Sequence, residues 1–205
     1  MLVIGAGGHA LEILDVLLQD NYPHPIYFYD DITPSLTSFR GFPVVQSEAM
    51  LKEIYPASFF FVLGIGNPIH RKNMYEKFIS LGGDFSSVIS NKSIHANQLL
   101  NKEFDLMNLC YLGPETCIGK GTLINTGAQI HHEVEIGEFT EISPRALLLG
   151  KVKVGNLCSL GGNCTILPKI RIGNNVIVGA GTVVTSDVPD NKLIVGVPGK
   201  IIKSL

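Results

Sequence analysis

Three polar residues interrupt an apolar stretch at Ile130-His131-His132-Glu133-Val134. Ile130 and Val134 belong to two repeating apolar columns, so the residues between them form a corner and project outward. An imidazole beside a carboxylate can move protons, because the carboxylate stabilises the imidazolium that forms. A surface histidine is more often merely solvated, and on these residues alone that reading stays open. A zinc site of three histidines is not expected: His131 and His132 are adjacent, and no histidine follows them. Gly150 lies eighteen residues beyond His132, an interval that the repeat below makes one coil.

A second group lies near the start of the chain. Gly5-Ala6-Gly7-Gly8-His9-Ala10 fits G-x-G-x-x-A between an apolar strand, Leu2-Val3-Ile4, and a helical pattern from Ala10 to Gln19. Backbone N–H groups at such a helix start attract phosphate. An acidic pair, Asp30-Asp31, ends a strand over 26–29, and Gly64-Ile65-Gly66-Asn67 follows a strand over 59–63. All three clusters fall at carboxyl ends of strands, where ligands of open parallel sheets bind. A region of about 85 residues is roughly half of a full dinucleotide fold, so a mononucleotide or nucleotide-sugar site fits better. A tight turn without a ligand is the alternative.

The elements that must position these groups follow two periodicities. In the first 85 residues, strands alternate with helices whose apolar faces carry Leu11, Leu14, Leu17 and Leu18, then Met74, Phe78 and Leu81; the pattern implies a small parallel sheet. From Ile94 onward every sixth residue is aliphatic: Ile94, Leu100, Leu106, Leu112, Ile118 and so on without a break to Val184. A second column of small or β-branched residues, Thr116 to Thr182, runs two positions ahead of it, so both columns point inward. A period of six suits a parallel β-helix with one hexapeptide per flat side and three per triangular coil. Residues 92–187 then make about five coils. Gly119, Gly137, Gly155 and Gly173 recur every eighteen residues, with Gly161 and Gly179 on another corner; glycine's tolerance of unusual φ/ψ is the expected reason. The domains expected are an α/β Rossmann-like half domain over 1–85 and a β-helix with a short C-terminal cap over 92–205. Gly82-Gly83 marks the break.

Composition narrows the function. Net charge is −2 and only 17% of residues are charged, which argues against nucleic acid or an anionic membrane as partner. Without a long apolar run or a leader-like start, a cytoplasmic location without membrane insertion is expected. Of four cysteines, Cys110, Cys158 and Cys164 fall on the inward small column and read as buried reduced thiols.

Asn125-Thr126-Gly127-Ala128, His132-Glu133, Ile136-Gly137-Glu138-Phe139, Pro144, Gly150, Val154-Gly155, Val178-Gly179-Ala180-Gly181 and Asp187-Val188-Pro189, with Gly5-Ala6-Gly7-Gly8-His9 and Asp30-Asp31, carry a resemblance across essentially the whole chain. It resembles the hexapeptide-repeat acyltransferases of the sialic acid O-acetyltransferase type. That group includes N-acetyltransferases of nucleotide-linked 4-amino-4,6-dideoxy sugars, such as the bacillosamine pathway enzyme. The resemblance implies a left-handed coil and a homotrimer with active sites between subunits. It implies acetyl-CoA as co-substrate and no metal. His132 would be general base, Glu133 would hold its imidazole, and the N–H of Gly150 would meet the thioester carbonyl. Glu141, Gly150, Gly162 and Ala180 would contact acetyl-CoA. In the N-terminal domain, Gly7, Gly8 and His9 would lie near the diphosphate, Asp30 and Asp31 near base or ribose, and Gly66 and Asn67 along the pocket. Arg71 reads either as a phosphate neighbour or as a solvated helix residue.

The sequence departs from that pattern at Glu141, where the bacillosamine-type enzymes carry a histidine, and at Pro198-Gly199-Lys200 in place of Pro-Ala-Lys. The function expected is N-acetylation of the sugar 4-amino group. O-acetylation of sialic acid or a related nonulosonate is one alternative. A non-catalytic nucleotide-sugar-binding protein is the other.

Overall fold

The computed structural model describes residues 1–95 and 103–205, so Leu100 of the aliphatic column lies outside the described residues. The chain divides into two compact units: Met1–Gly66 with His70–Val88, and Asn67–Ile69 with Ile89–Leu205.

The first unit runs β1 (Leu2–Ile4), α1 (Gly8–Gln19), β2 (Tyr27–Tyr29), β3 (Ser38–Phe39), β4 (Phe42–Val45), α2 (Glu48–Ile54), β5 (Phe59–Leu63), α3 (Pro68–Ser80) and β6 (Gly83–Phe85). Its sheet has the order β3-β4-β2-β1-β5-β6, parallel except for the β3–β4 hairpin. β1 has β2 on one side and β5 on the other, which makes its carboxyl end the topological switch point where ligands settle. Leu2, Ile4, Tyr29, Val45, Phe59, Phe61, Leu63 and Phe78 form the core.

Two expectations change here, and one element was not foreseen. The buried face of α1 is Ala10, Ile13, Leu14 and Leu17, with Val16 beside it, while Leu18 is exposed. That set follows the helical repeat more closely than a leucine count does. Gly82-Gly83 is not a break: Gly83 opens β6, pairing with Phe59, and a side chain there would collide with the rings of Phe59 and Phe61. The β3–β4 hairpin turns through Arg40 and Gly41, both at positive φ (53° and 86°), a two-residue turn without the usual Asn-Gly signature.

In the second unit each coil pairs with the next at an offset of eighteen residues: Glu135 with Lys153, Gln129 with Leu147, Glu141 with Ser159. The three parallel sheets form a left-handed β-helix. They are called here the Gln129, Glu135 and Glu141 faces. Leu112, Ile124, Ile130, Ile136, Ile142, Leu148, Leu160 and Ile166 fill the interior with Ala128, Val134, Cys158 and Cys164. Ile94, expected to begin the inward column, is instead 69% exposed, because it pairs with Tyr111, one residue out of step with Leu112. Strands Lys192–Val195 and Lys200–Ser204 extend the Glu141 face, and Ile194 joins the end of the core.

The glycine beat has a different cause from the one expected. Left-handed backbone recurs every six residues at Leu109, Glu115, Gly121, Gly127, Glu133, Phe139, Arg145, Lys151, Leu157, Asn163, Lys169, Asn175 and Gly181, mostly without glycine. Gly119, Gly137, Gly155 and Gly173 are not among them. They are required by proximity: a Cβ on Gly119 would sit 2.5 Å from the Gly137 carbonyl carbon, and one on Gly155 2.7 Å from that of Gly173. The coils touch backbone to backbone along this edge.

Candidate active site

His132 occupies the corner between the Gln129 and Glu135 faces. Its Nδ1 lies 2.8 Å from Glu133 Oε2. The carboxylate only accepts, so Nδ1–H donates to it, and Nε2 of the neutral ring keeps its lone pair. The other Glu133 oxygen, Oε1, lies 3.2 Å from Lys151 Nζ. The His132 hydrogen bond first, and the Lys151 contact second, hold the Glu133 carboxyl below its ordinary range. His131 goes elsewhere: its ring packs edge-on to Tyr111 at 5.7 Å between centroids.

Gly150 lies against the imidazole. A Cβ built on it would collide with His132 Nε2 and Cε1, so the absence of a side chain is what admits the ring. The backbone of this corner adds a donor. In each coil the residue before the left-handed position gives its carbonyl to the next coil: His132 O accepts Lys151 N–H at 3.0 Å, and Gly150 O accepts Lys169 N–H at 3.0 Å. The N–H of that same residue enters no backbone bond among the described residues. Pro114, Pro144 and Pro168 occupy the position with no N–H at all, and in Glu138, Asn156 and Asn174 an Asn or Asp side chain accepts it. His132, Gly150, Gly162 and Ala180 share this position, so the β-helix leaves their N–H groups for other use.

A single chain does not bring every expected residue to the imidazole. Gly162 and Ala180 lie on the corner at the far edge of the Gln129 face, and Glu141 lies on the third face, accepting from the Ser143 hydroxyl at 2.8 Å. Lys151 was absent from the sequence-based site; only its eighteen-residue offset from Glu133 could have pointed to it.

In the first unit, Gly7 caps α1 with extended backbone, without a side-chain cap and without an acidic residue in the first turn. Gly7 and Gly8 are exposed, and side chains on them would meet open space. The first-turn N–H groups have no helical acceptors, so this end suits an anion. His9 Nδ1 pairs with Glu12 Oε2 at 2.9 Å, while its buried Nε2 has no partner among the described residues.

The two acids of the β2 end differ. Asp30 Oδ1 accepts the N–H groups of Ile32 and Thr33 at 3.0 and 2.8 Å, shaping its own turn. Asp31 Oδ2 accepts from the Tyr29 hydroxyl and from Lys77 Nζ, each at 3.1 Å. Burial pushes the Asp31 carboxyl up, but Lys77 and the Tyr29 hydroxyl outweigh that and hold it low. Gly64 packs tightly, since a Cβ would lie 2.8 Å from Ala10 Cβ, whereas Gly66 opens to space and Asn67 is exposed. Arg71 is neither solvated nor at a surface: it is fully buried, and Nη1 donates to Leu63 O and Ile65 O at 3.0 and 2.7 Å, bracing the loop after β5.

Residues 1–78 match the PglD N-terminal domain model, and residues 151–186 match the bacterial transferase hexapeptide (six repeats) model. Among solved structures, the acetyltransferase domain of PglB from Neisseria gonorrhoeae FA1090 in complex with acetyl coenzyme A is 27% identical. The match covers 98% of each chain at a TM-score of 0.90. PerB from Caulobacter crescentus in complex with CoA and GDP-perosamine is 28% identical over 98% of this chain and 96% of that one, with a TM-score of 0.87. A variant of the GDP-perosamine N-acetyl transferase of that organism, also with CoA and GDP-perosamine, aligns at 28% identity over 99% and 96%, TM-score 0.87. No curated protein matches the sequence significantly. Among the described residues no group of His, Cys, Asp and Glu could hold a metal ion, and no helix is long and apolar enough to cross a membrane.

Proposed function

We propose that this chain, a hexapeptide-repeat acetyltransferase with a PglD-type N-terminal domain, transfers acetyl from acetyl-CoA to the 4-amino group of a nucleotide-linked 4-amino-4,6-dideoxy sugar. The observation that carries this reading is His132 seated on Gly150, with Nδ1 held by Glu133 and Nε2 against the side-chain position of a glycine whose backbone N–H the β-helix does not use. Nε2 takes the proton of the sugar amine as its nitrogen bonds to the thioester carbonyl carbon. The C–S bond breaks and the CoA sulfur leaves. Charge developing on the carbonyl oxygen is met by the Gly150 N–H, preorganised because Leu149 O, in the same peptide plane, accepts the Val152 N–H at 3.3 Å. Gly162 and Ala180, with equally unspent N–H groups and little side-chain bulk, would contact the long CoA chain, and Glu141 its acyl end.

The nucleotide part would occupy the carboxyl end of the N-terminal sheet, with diphosphate at Gly7, Gly8 and His9, base or ribose at Asp30 and Asp31, and Gly66 and Asn67 along the pocket. The uncapped start of α1 supports an anion there. Asp31's commitment to Lys77 makes Asp30 the better placed of the two acids for a ligand. The proposal includes a homotrimer. The Gln129 face turns Ile94, Tyr111, Leu147 and Val183 outward with the uncharged Gln129 and Thr165, whereas the Glu135 face turns out Cys117, Glu135, Lys153 and Arg171. Association through the apolar face suits this contrast, and a neighbouring copy would bring Gly162, Ala180 and Glu141 to His132.

The test is CoA-thiol release from acetyl-CoA with a panel of UDP-, dTDP- and GDP-linked 4-amino sugars, and with free and CMP-linked sialic acid. Turnover of a 4-amino sugar is expected. Turnover of sialic acid alone would replace this reading with O-acetylation, and no turnover of any acceptor would favour a binding protein. His132→Ala should lower kcat by at least about 10²-fold while the protein stays folded; retained turnover would remove the mechanism.

A further inference from the structure

We infer that Lys151 is a positioning residue for this reaction, anchoring the Glu133 carboxylate so that its other oxygen is held on His132 Nδ1. The inference rests on the His132 reading above. The carboxylate divides its oxygens, Oε1 to Lys151 Nζ at 3.2 Å and Oε2 to His132 Nδ1 at 2.8 Å. Glu133 and Lys151 are eighteen residues apart, and both have left-handed backbone, φ 56° and 64°. They therefore stack one coil apart, and Lys151 N–H donates to His132 O at 3.0 Å. A half-exposed glutamate has several rotamers of similar energy, and a single bond to an equally exposed imidazole does not select among them. A second bond from the neighbouring coil does.

The ammonium also tempers the field at the ring. The same column carries Glu115 and Lys169 on the flanking coils, and neither forms an ion pair among the described residues, so Glu133 and Lys151 are the charges in contact with the site. An internal control stands two residues along. Lys153 pairs with Glu135 at 2.6 Å with the same eighteen-residue spacing, but on the flat Glu135 face, with no histidine in contact.

The experiment uses the full-length chain with acetyl-CoA and the nucleotide sugar found active in the panel. It compares Lys151→Met, Lys151→Arg, Glu133→Gln, the double variant K151M/E133Q and Lys153→Met. Lys151→Met is expected to lower kcat about fivefold, the scale at which a half-exposed ion pair enters a rate. Both KM values should stay within about twofold. Arginine restores the rate. In the E133Q background the lysine change has no further effect, and Lys153→Met changes nothing. Wild-type kcat in K151M, an equal further loss in the E133Q background, or a rise confined to the KM of acetyl-CoA would each overturn the inference. The last would make Lys151 a ligand-binding group. The two readings separate cleanly: turnover retained in H132A removes both, whereas a dead H132A beside a normal K151M removes only this one.

Discussion

Gly150→Ala isolates the placement of the imidazole from everything else at the corner. Gly150 is not at positive φ, so alanine fits its backbone, and the backbone N–H is kept. What changes is space. The new Cβ would overlap His132 Nε2 and Cε1 and lie 3.1 Å from Cδ2. Ordinary contact begins near 3.4 Å, so the ring edge must retreat by about 1 Å, a displacement that typically costs ~10²-fold in rate. With 53% of the side chain exposed, the ring can swing into solvent without straining the core. The expected result is a kcat about 10²-fold lower, ~2.7 kcal/mol in the barrier, with an unchanged melting temperature. Steady-state thiol release and a thermal melt measure both. Because the effect acts through His132, combining G150A with H132A should add little to the loss from H132A alone. Wild-type kcat in G150A, or a loss that appears only with a collapsed melting temperature, refutes the reasoning.

Gly155→Ala should show the opposite signature. Its Cβ would press on the Gly173 carbonyl and Asn174 N at 2.7 and 2.8 Å, against backbone that cannot yield, costing about 2 kcal/mol and lowering the midpoint by roughly 6 °C. At Gly162 a Cβ meets only Pro144 O, at 3.3 Å, so Gly162→Ala should melt like the parent. Burial pushes the thiols of Cys110 and Cys158 up to about 11 and that of Cys164 up to about 12, while Cys117 is exposed. An aromatic disulfide reagent at pH 8 should therefore titrate one thiol in the folded protein and four after denaturation; Cys117→Ser should abolish the fast reaction, and fast labelling of a second thiol would contradict the core assignment.

The β-helix was legible because its signal is redundant: an inward aliphatic residue every sixth position leaves no other regular structure to suit. The same regularity misled on the glycines. Periodic glycine is compatible with an unusual φ and with close stacking, and only coordinates show that Glu133, Arg145 and Lys151 take the left-handed positions while Gly137 and Gly155 make room for the next coil. In the first unit, short elements escaped. β6 is three residues long and opens with Gly83, and the β3–β4 turn uses Arg40 where a sequence reading looks for Asn or Gly. Arg71 shows the limit of composition: a charged helical residue is read as solvated, yet its guanidinium fills the core and satisfies two carbonyls. His132 and Glu133 were visible as neighbours in the chain. Lys151 was invisible as a partner until the winding set it over Glu133.

One amide in every hexapeptide is exempt from the backbone ladder that holds the prism together, as Pro114, Pro144 and Pro168 demonstrate by lacking it. Each coil thus offers three sites whose own N–H the backbone ladder does not need, and at one of the three the Asn156 and Asn174 side chains take it up instead. A reactive corner on such a stack is free to move up or down by whole coils, carried by its side chains while the architecture beneath stays the same.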